Sequence, residues 1–283
     1  DGCTFRFTPN NLRAPWDNPD LRRALQYATD RQQIVDLALE GSVNVAVLPF
    51  AEYGGVQSYL DPLKDLIAKY NPGEYNLDKS AEIMKSLGYA KDGEGFWAKD
   101  GERLSFTIHS AIWRAHHLPP AVQQWRDAGF DVDSKSWDGD SAMESLLSGE
   151  WDIYNEVHCG SLTDPFETLN DFHSKWSRPL GEVQPYRHAT SRMNNPEYDA
   201  IIDAMEVMQP SPDDPAYIAK VSEAVEILLR DVPEIVWGEE RHAVTFSETY
   251  WTNWATDENP YAAPFFCCWS SPYLIILQLL PTQ

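Results

Sequence analysis

NPDLRRALQYATDRQQIVDLALEG, residues Asn18–Gly41, is the stretch whose reading decides the fold. Leu21, Ala24, Leu25, Ala28, Ile34, Val35 and Ala38 recur at the spacing of one stripe on a 3.6-residue helix. Asn18 suits the N-cap and Pro19 the first turn. Gly41 can adopt the left-handed conformation that ends a helix. By periodicity alone this is one long core-packing helix, which names no function.

Outward from it, Val45–Tyr59 is punctuated by Gly and Pro and reads as loop. Asp61–Tyr70 reads as a short helix stopped by Asn71-Pro72-Gly73, and Asn76 caps another that Gly88 ends. Beyond it, strands and helices alternate. Leu104–His109, Asp131–Trp137 and Trp151–Val157 read as strands, and Pro120–Ala128 and Ser141–Leu147 as the helices between them. That order predicts βαβ units and a largely parallel sheet, an α/β fold. Helices over Pro196–Met208 and Asp214–Arg230 follow, then a strand at Glu234–Trp237. Tyr273–Leu280 is an apolar run of strand length.

The 283 residues suffice for two domains or one large one. Hydrophobic residues at 43% and aromatics at 12% describe a packed chain. The formal net charge of −22 argues against nucleic acid and against an anionic membrane surface. No run approaches the roughly 20 apolar residues that span a bilayer, and a signal peptide is not expected among these residues. Because the chain opens directly on a strand, Cys3–Thr8, an N-terminal part is expected elsewhere. Cys3, Cys159, Cys267 and Cys268 lack a metal-binding spacing. They leave open three full pairings, a single disulfide, or free thiols.

The order of residues in Asn18–Gly41 resembles a segment of the extracellular solute-binding proteins of peptide-type ABC importers, family 5. Their pattern is Val-Arg-x-Ala-Leu-x-Tyr-Ala-Ile-Asp-Arg-x-x-Ile-Val. Arg22, Ala24, Leu25, Tyr27, Ala28, Asp30, Arg31, Ile34 and Val35 match it, while Leu21 and Thr29 replace its Val and Ile. Tyr75–Tyr89 is similar to the family's Tyr-Asp-Pro-x-Lys-Ala-x-x-Leu-Leu-x-x-Ala-Gly-Tyr. The resemblance runs from Cys3 to about Pro281 and is most specific in the first 110 residues. It implies an α/β, two-lobed periplasmic-binding-protein-like fold, of which this chain supplies mainly the second lobe. Residues 1–11 would then be a crossover strand from the first lobe, 12–236 the second α/β lobe, and 237–283 a return to the first. It further implies a protein that captures a solute by hinge closure and delivers it to an ABC permease. Its setting would be periplasmic or extracellular, with a lipid anchor allowed. It needs no cofactor or metal, and its partners are the solute, the permease and the missing N-terminal half. An isolated half would expose sheet edges and the Leu274–Leu280 strand, so poor solubility or association is expected of it alone.

Ligands of open α/β sheets bind beyond the carboxyl ends of strands. The loop after Trp151–Val157 is therefore the expected contact region, with His158, Gly160, Ser161 and Thr163 as candidates. Peptide-binding members resemble Trp-Gly-Ala-Asp-Tyr-Pro-Asp-Pro here, and the first Asp receives the ligand's amino terminus. Aligning Asp164-Pro165 with the final pair puts Ser161 in place of that Asp and His158 in place of the Trp. A buried ammonium without a carboxylate costs several kcal/mol, so a neutral, polyhydroxylated ligand fits better. Ser161 also reads as a cap of the following helix. Trp113 after a strand, Trp237 at the expected crossover and Trp269 in the tail are candidate stacking platforms for sugar rings. Arg187, before Asn195-Pro-Glu-Tyr-Asp199, is a candidate donor to ligand hydroxyls. An oligosaccharide is the favoured solute and an oligopeptide the alternative.

Enzymatic motifs are missing. There is no Gly-x-Ser-x-Gly elbow and no His-Glu-x-x-His. Gly93-x-Gly95 is not a dinucleotide loop, and Asp131-x-Asp133 lacks the Gly of an EF-hand. Among 44 acidic residues a glycosidase pair stays conceivable, which makes a carbohydrate-active enzyme the main rival.

Overall fold

The computed structural model describes residues 3–51, 54–185, 190–241, 244–256, 258–259, 261–262 and 271–282. Contacts divide the chain into two compact units that part between Glu240 and Arg241.

The first unit begins with strand β1 (Cys3–Pro9) and helices α1 (Pro19–Tyr27) and α2 (Arg31–Leu39). The long helix expected over Asn18–Gly41 is thus two helices. Asn18 caps the first through Asp20 N, and Asp30 starts the second by accepting from Gln33 N. The break is held from outside: Gln124 accepts from Asp30 N and donates to Asp30 O, each at 3.0 Å. Thr29 Oγ1 donates to Leu25 O, closing the first helix. A periodic stripe cannot reveal such an interruption, because both helices present the same face to the core. Glu40 takes the left-handed conformation at the end of α2, with Gly41 after it.

The segment expected as loop contains helix α3 (Gly54–Leu60), followed by α4 (Lys64–Tyr70) and α5 (Leu77–Ser86). A small three-stranded meander, β2 (Ala90–Lys91), β3 (Trp97–Lys99) and β4 (Glu102–Arg103), leads into β5 (Ser105–Ala111). Then come α6 (Leu118–Asp127), β6 (Asp131–Trp137), α7 (Gly139–Ser148), β7 (Ile153–Cys159), α8 (Phe166–Asn170), α9 (Pro196–Glu206), α10 (Pro215–Asp231) and β8 (Ile235–Glu239).

Five strands form the main sheet in the order β6-β5-β7-β1-β8. As the βαβ pattern requires, β5 is parallel to both β6 and β7. β1 runs antiparallel to β7 and to β8, so the sheet is mixed at that side. On one face Phe5, Phe7, Phe106, Ile108, Ile153 and Trp237 pack against α1, α2 and α6 through Leu21, Leu25, Ile34, Val35 and Trp125. A second core joins α9 and α10 to α3 and α8 through residues such as Tyr198, Ile202, Tyr217, Val221 and Leu169. Cys3 and Cys159, paired across β1 and β7, form a disulfide.

The unit from Arg241 holds β9 (Trp251–Thr252), helix α11 (Ser271–Gln278) and β10 (Leu280–Pro281), with β9 and β10 antiparallel. The apolar run at Tyr273–Leu280 is therefore largely helical, not a strand. Short apolar runs carry no period that separates the two. Phe246 stacks on Trp254 at 4.8 Å beside a cavity of about 350 Å³ lined by aromatic residues.

Candidate functional site

The carboxyl ends of β5, β6 and β7 lie at one edge of the main sheet, because the three strands are parallel and in register. β1 begins and β8 ends at this edge, since Thr4 pairs with both His158 and Glu239. The edge therefore gathers the turn after β5, the loop after β7 and the two passages of the chain into and out of the unit.

After β5 a 3-10 turn, Ile112–His117, puts Ile112 and Trp113 outward, at 57% and 56% exposure. The next residue is turned inward. Arg114 pairs with Glu156 of β7 at 3.0 Å and with Glu240, just past β8, at 3.6 Å. Asn155 Nδ2 donates to the carbonyl of Arg114 and so pins the turn to the sheet. His117 is buried against Phe5 and Trp237. Burial, followed by the charges of His116 and Arg114, pushes its imidazole down to about 3.

The loop after β7 is held at both ends. Ser161 Oγ accepts from Thr168 N at 3.0 Å, and Ser161 N donates to Thr168 Oγ1 at 2.9 Å, a reciprocal pair with α8. Asp164 Oδ1 accepts from Phe166 N. A Cβ on Gly160 would collide with Thr168 Oγ1, and one on Gly55 would lie 2.5 Å from the carbonyl oxygen of Leu162. Both glycines are there for close approach, so the loop is clamped between α3 and α8 with Leu162 and Thr163 left exposed.

Beneath the loop lies a buried ionic cluster. Arg6 of β1 pairs with Glu234, donates to His158 Nδ1 at 2.8 Å and to Thr190 Oγ1 at 3.1 Å. His158 Nε2 donates to Asp171 Oδ2 at 2.7 Å. Burial alone would raise Glu234, but Arg6 beside it outweighs this and holds the carboxyl below its ordinary value. For His158, burial and Arg6 both oppose the charged form. Its bonds to Asp171 and Glu234 outweigh them, and the imidazole lies above its ordinary value. With Nδ1 accepting from Arg6 the arrangement is that of the neutral imidazole, and a second proton on His158 would balance two carboxylates against one guanidinium.

The structure brings Trp113, Gly160, Ser161 and Thr163 to neighbouring strand ends on one edge. His158 and Trp237 are placed differently, both with 0% exposure. His158 belongs to the ionic cluster, and Trp237 is stacked on Phe5 at 4.8 Å within the core. Arg187 and Trp269 lie outside the described residues. Sequence reasoning missed Arg6, Asp171, Glu234 and Arg114. The one available sign was Arg6 at the centre of a strand with Thr4 and Thr8 on the same face, where a solvent-facing pattern would have other charges.

A family model described as bacterial extracellular solute-binding proteins, family 5, middle, matches residues 1–178. The oligopeptide-binding protein AppA of Bacillus subtilis is 27% identical over 158 residues, 54% of this chain and 28% of that protein. Among solved structures, a periplasmic oligopeptide-binding protein of Thermotoga maritima, crystallised with mannohexaose, has a TM-score of 0.84 at 23% identity, covering 99% of this chain and 52% of that one. AppA of Bacillus subtilis with a nonapeptide has a TM-score of 0.67 at 18% identity, covering 84% and 45%. The chain thus spans about half the length of the solved structures it matches.

Proposed function

The chain belongs to the bacterial extracellular solute-binding proteins of family 5, and from that premise we propose that it forms the greater part of one lobe of the substrate-binding component of an ABC importer. The solute is captured at the edge formed by Trp113 and the Gly160–Thr163 loop. Capture is by hinge closure, outside the cytoplasm, and the closed form is presented to a membrane permease. Among the described residues no helix is long and apolar enough to cross a membrane. In this reading residues 1–11 cross from the first lobe, 12–236 form the second, and 237–283 return.

The observation that carries the reading is an exposed Trp113 one strand away from a clamped loop that leaves Thr163 exposed. A flat aromatic face beside fixed hydroxyl and amide groups suits a sugar ring. Ser161 stands where peptide-binding members are expected to hold a carboxylate. Arg114 is neutralised by Glu156 and Glu240, and Asp164 is engaged with Phe166 N. Asp164 keeps its charge while accepting from Phe166 N, so the case for a neutral solute rests on Ser161 and Trp113. An oligosaccharide is accordingly the favoured solute, and the mannohexaose in the Thermotoga maritima protein supports that class. An oligopeptide is the second reading, supported by the likeness to AppA. A carbohydrate-active enzyme is the remaining rival.

Calorimetric titration of the full-length protein with mannohexaose and with a nonapeptide tests the choice. Saturable binding of the sugar, recovered intact, is expected. Peptide binding alone would overturn the sugar reading, and release of reducing ends would overturn the binding-protein reading.

A further inference from the structure

We propose that His158 is a positioning residue, which fastens the base of the Gly160–Thr163 loop to the strands by which the chain enters and leaves the unit. The inference rests on reading that loop as the ligand-contacting one.

His158 is the last-but-one residue of β7, directly before the loop, and Asp171 directly follows α8. Their 2.7 Å bond therefore closes the loop and its helix at the base. The other ring nitrogen faces Arg6 of β1 at 2.8 Å and Glu234, the residue before β8, at 3.6 Å. One imidazole thus touches the loop's far end, the entering strand and the leaving strand. The charged or titratable groups facing it, among the described residues, are Arg6 from β1, Asp171 after α8, Glu234 before β8 and, one layer out, Tyr198 of α9. Tyr198 belongs to the same field: burial, then Asp171, Asp199 and Glu234, raise its phenol well above the ordinary value. Phe172 covers the imidazole at 5.5 Å and keeps water out.

The cluster has two arrangements. With His158 neutral, Nδ1 accepts from Arg6 and Nε2 donates to Asp171. With His158 protonated, Nε2 still donates to Asp171, now as a charge-assisted bond. Nδ1 then has a proton to offer Glu234 Oε1, 3.6 Å away. A small ring movement makes that bond while Arg6 keeps Glu234 Oε2 and Thr190. The loop is therefore held more firmly when His158 carries its second proton.

Hydrogen exchange on the full-length, ligand-free protein reads this directly. Protection of the segment 159–170, corrected for intrinsic exchange and referred to α9, is measured at pH 6 and pH 9. It is expected to fall on the order of fivefold at the higher pH, the difference between a charge-assisted and a neutral bond. In H158Q, whose amide can still reach Asp171 but has no titrating proton, the ratio should be independent of pH. A flat wild-type profile overturns the proposal, and so does an H158Q profile that follows the wild type. Should H158Q not fold, the wild-type profile decides by itself. Parallel titrations with mannohexaose and the nonapeptide separate the two readings: silence from both removes the solute assignment while the exchange profile still judges His158.

Discussion

Arg6 stands in the middle of β1 with 0% exposure, and it stays there because three segments supply it with a carboxylate, an imidazole nitrogen and a hydroxyl. The cluster's contribution to stability is bounded on both sides of the pH scale. Glu234 is held below its ordinary 4.5, so what it contributes is complete above that value and is lost as pH falls through the lowered value. His158 is raised above its ordinary 6.5, so its contribution is complete below 6.5 and is lost as pH rises through the raised value. The cluster should therefore stabilise most between 4.5 and 6.5. Thermal melts of wild type and H158Q across pH 4 to 9 check this: the alkaline decline should be shallower in the variant, and equal declines would refute it. At the rim, Trp113 is exposed and packs little in the free unit. W113A should leave the melting temperature nearly unchanged and weaken mannohexaose binding about tenfold by calorimetry, the scale of one lost aromatic face. Unchanged affinity would remove Trp113 from the site.

Helix boundaries show which parts of the element level can be read from a string of residues. Asp30 caps α2 from within the sequence, accepting from Gln33 N, while Gln124 of α6 fills the gap from 94 residues away. D30A should cost about 1 kcal/mol in denaturant unfolding, as for other caps. A cost near zero would mean that Gln124 alone maintains the break. The order of strands and helices from β5 to β8, the short α8 apart, was legible from the alternation of strand-length and helix-length stretches, although β6 has Val132 as its single β-branched residue. The break at Ala28–Asp30 was not, since it depends on Gln124. α3 was hidden by its glycines. Gly55 is there because the Leu162 carbonyl lies where a Cβ would go, a contact that local pattern cannot contain. The candidate loop after β7 was legible from the rule that ligands gather at strand carboxyl ends. The ionic cluster under it was not, because its members come from four separate stretches of chain and meet only in the folded sheet.

For the molecule as a whole, the two compact units differ in how they bury apolar surface. In the unit from Arg241, α11 leaves Tyr273, Leu274, Ile276 and Leu277 exposed, while Ile275 is buried. Exposed apolar residues in a row invite association. This span expressed alone should elute as oligomers in gel filtration, and L277E should shift it toward monomer. A monodisperse wild-type monomer would contradict the expectation. Among its described residues, the unit up to Glu240, with its two apolar cores and a disulfide, carries no comparable run.

That disulfide also decides how the unit would respond to force. Cys3 and Cys159 close a covalent loop with a sequence separation of 156 residues. Tension applied between residues 3 and 240 passes through the sulfur bridge and bypasses everything inside that loop, from β1 through β7. Only the stretch after Cys159 can be drawn out. In an optical trap the oxidised unit should lengthen by the contour of that stretch alone, and after treatment with a thiol reductant by that of the whole unit. The bridge thus makes most of the main sheet mechanically silent.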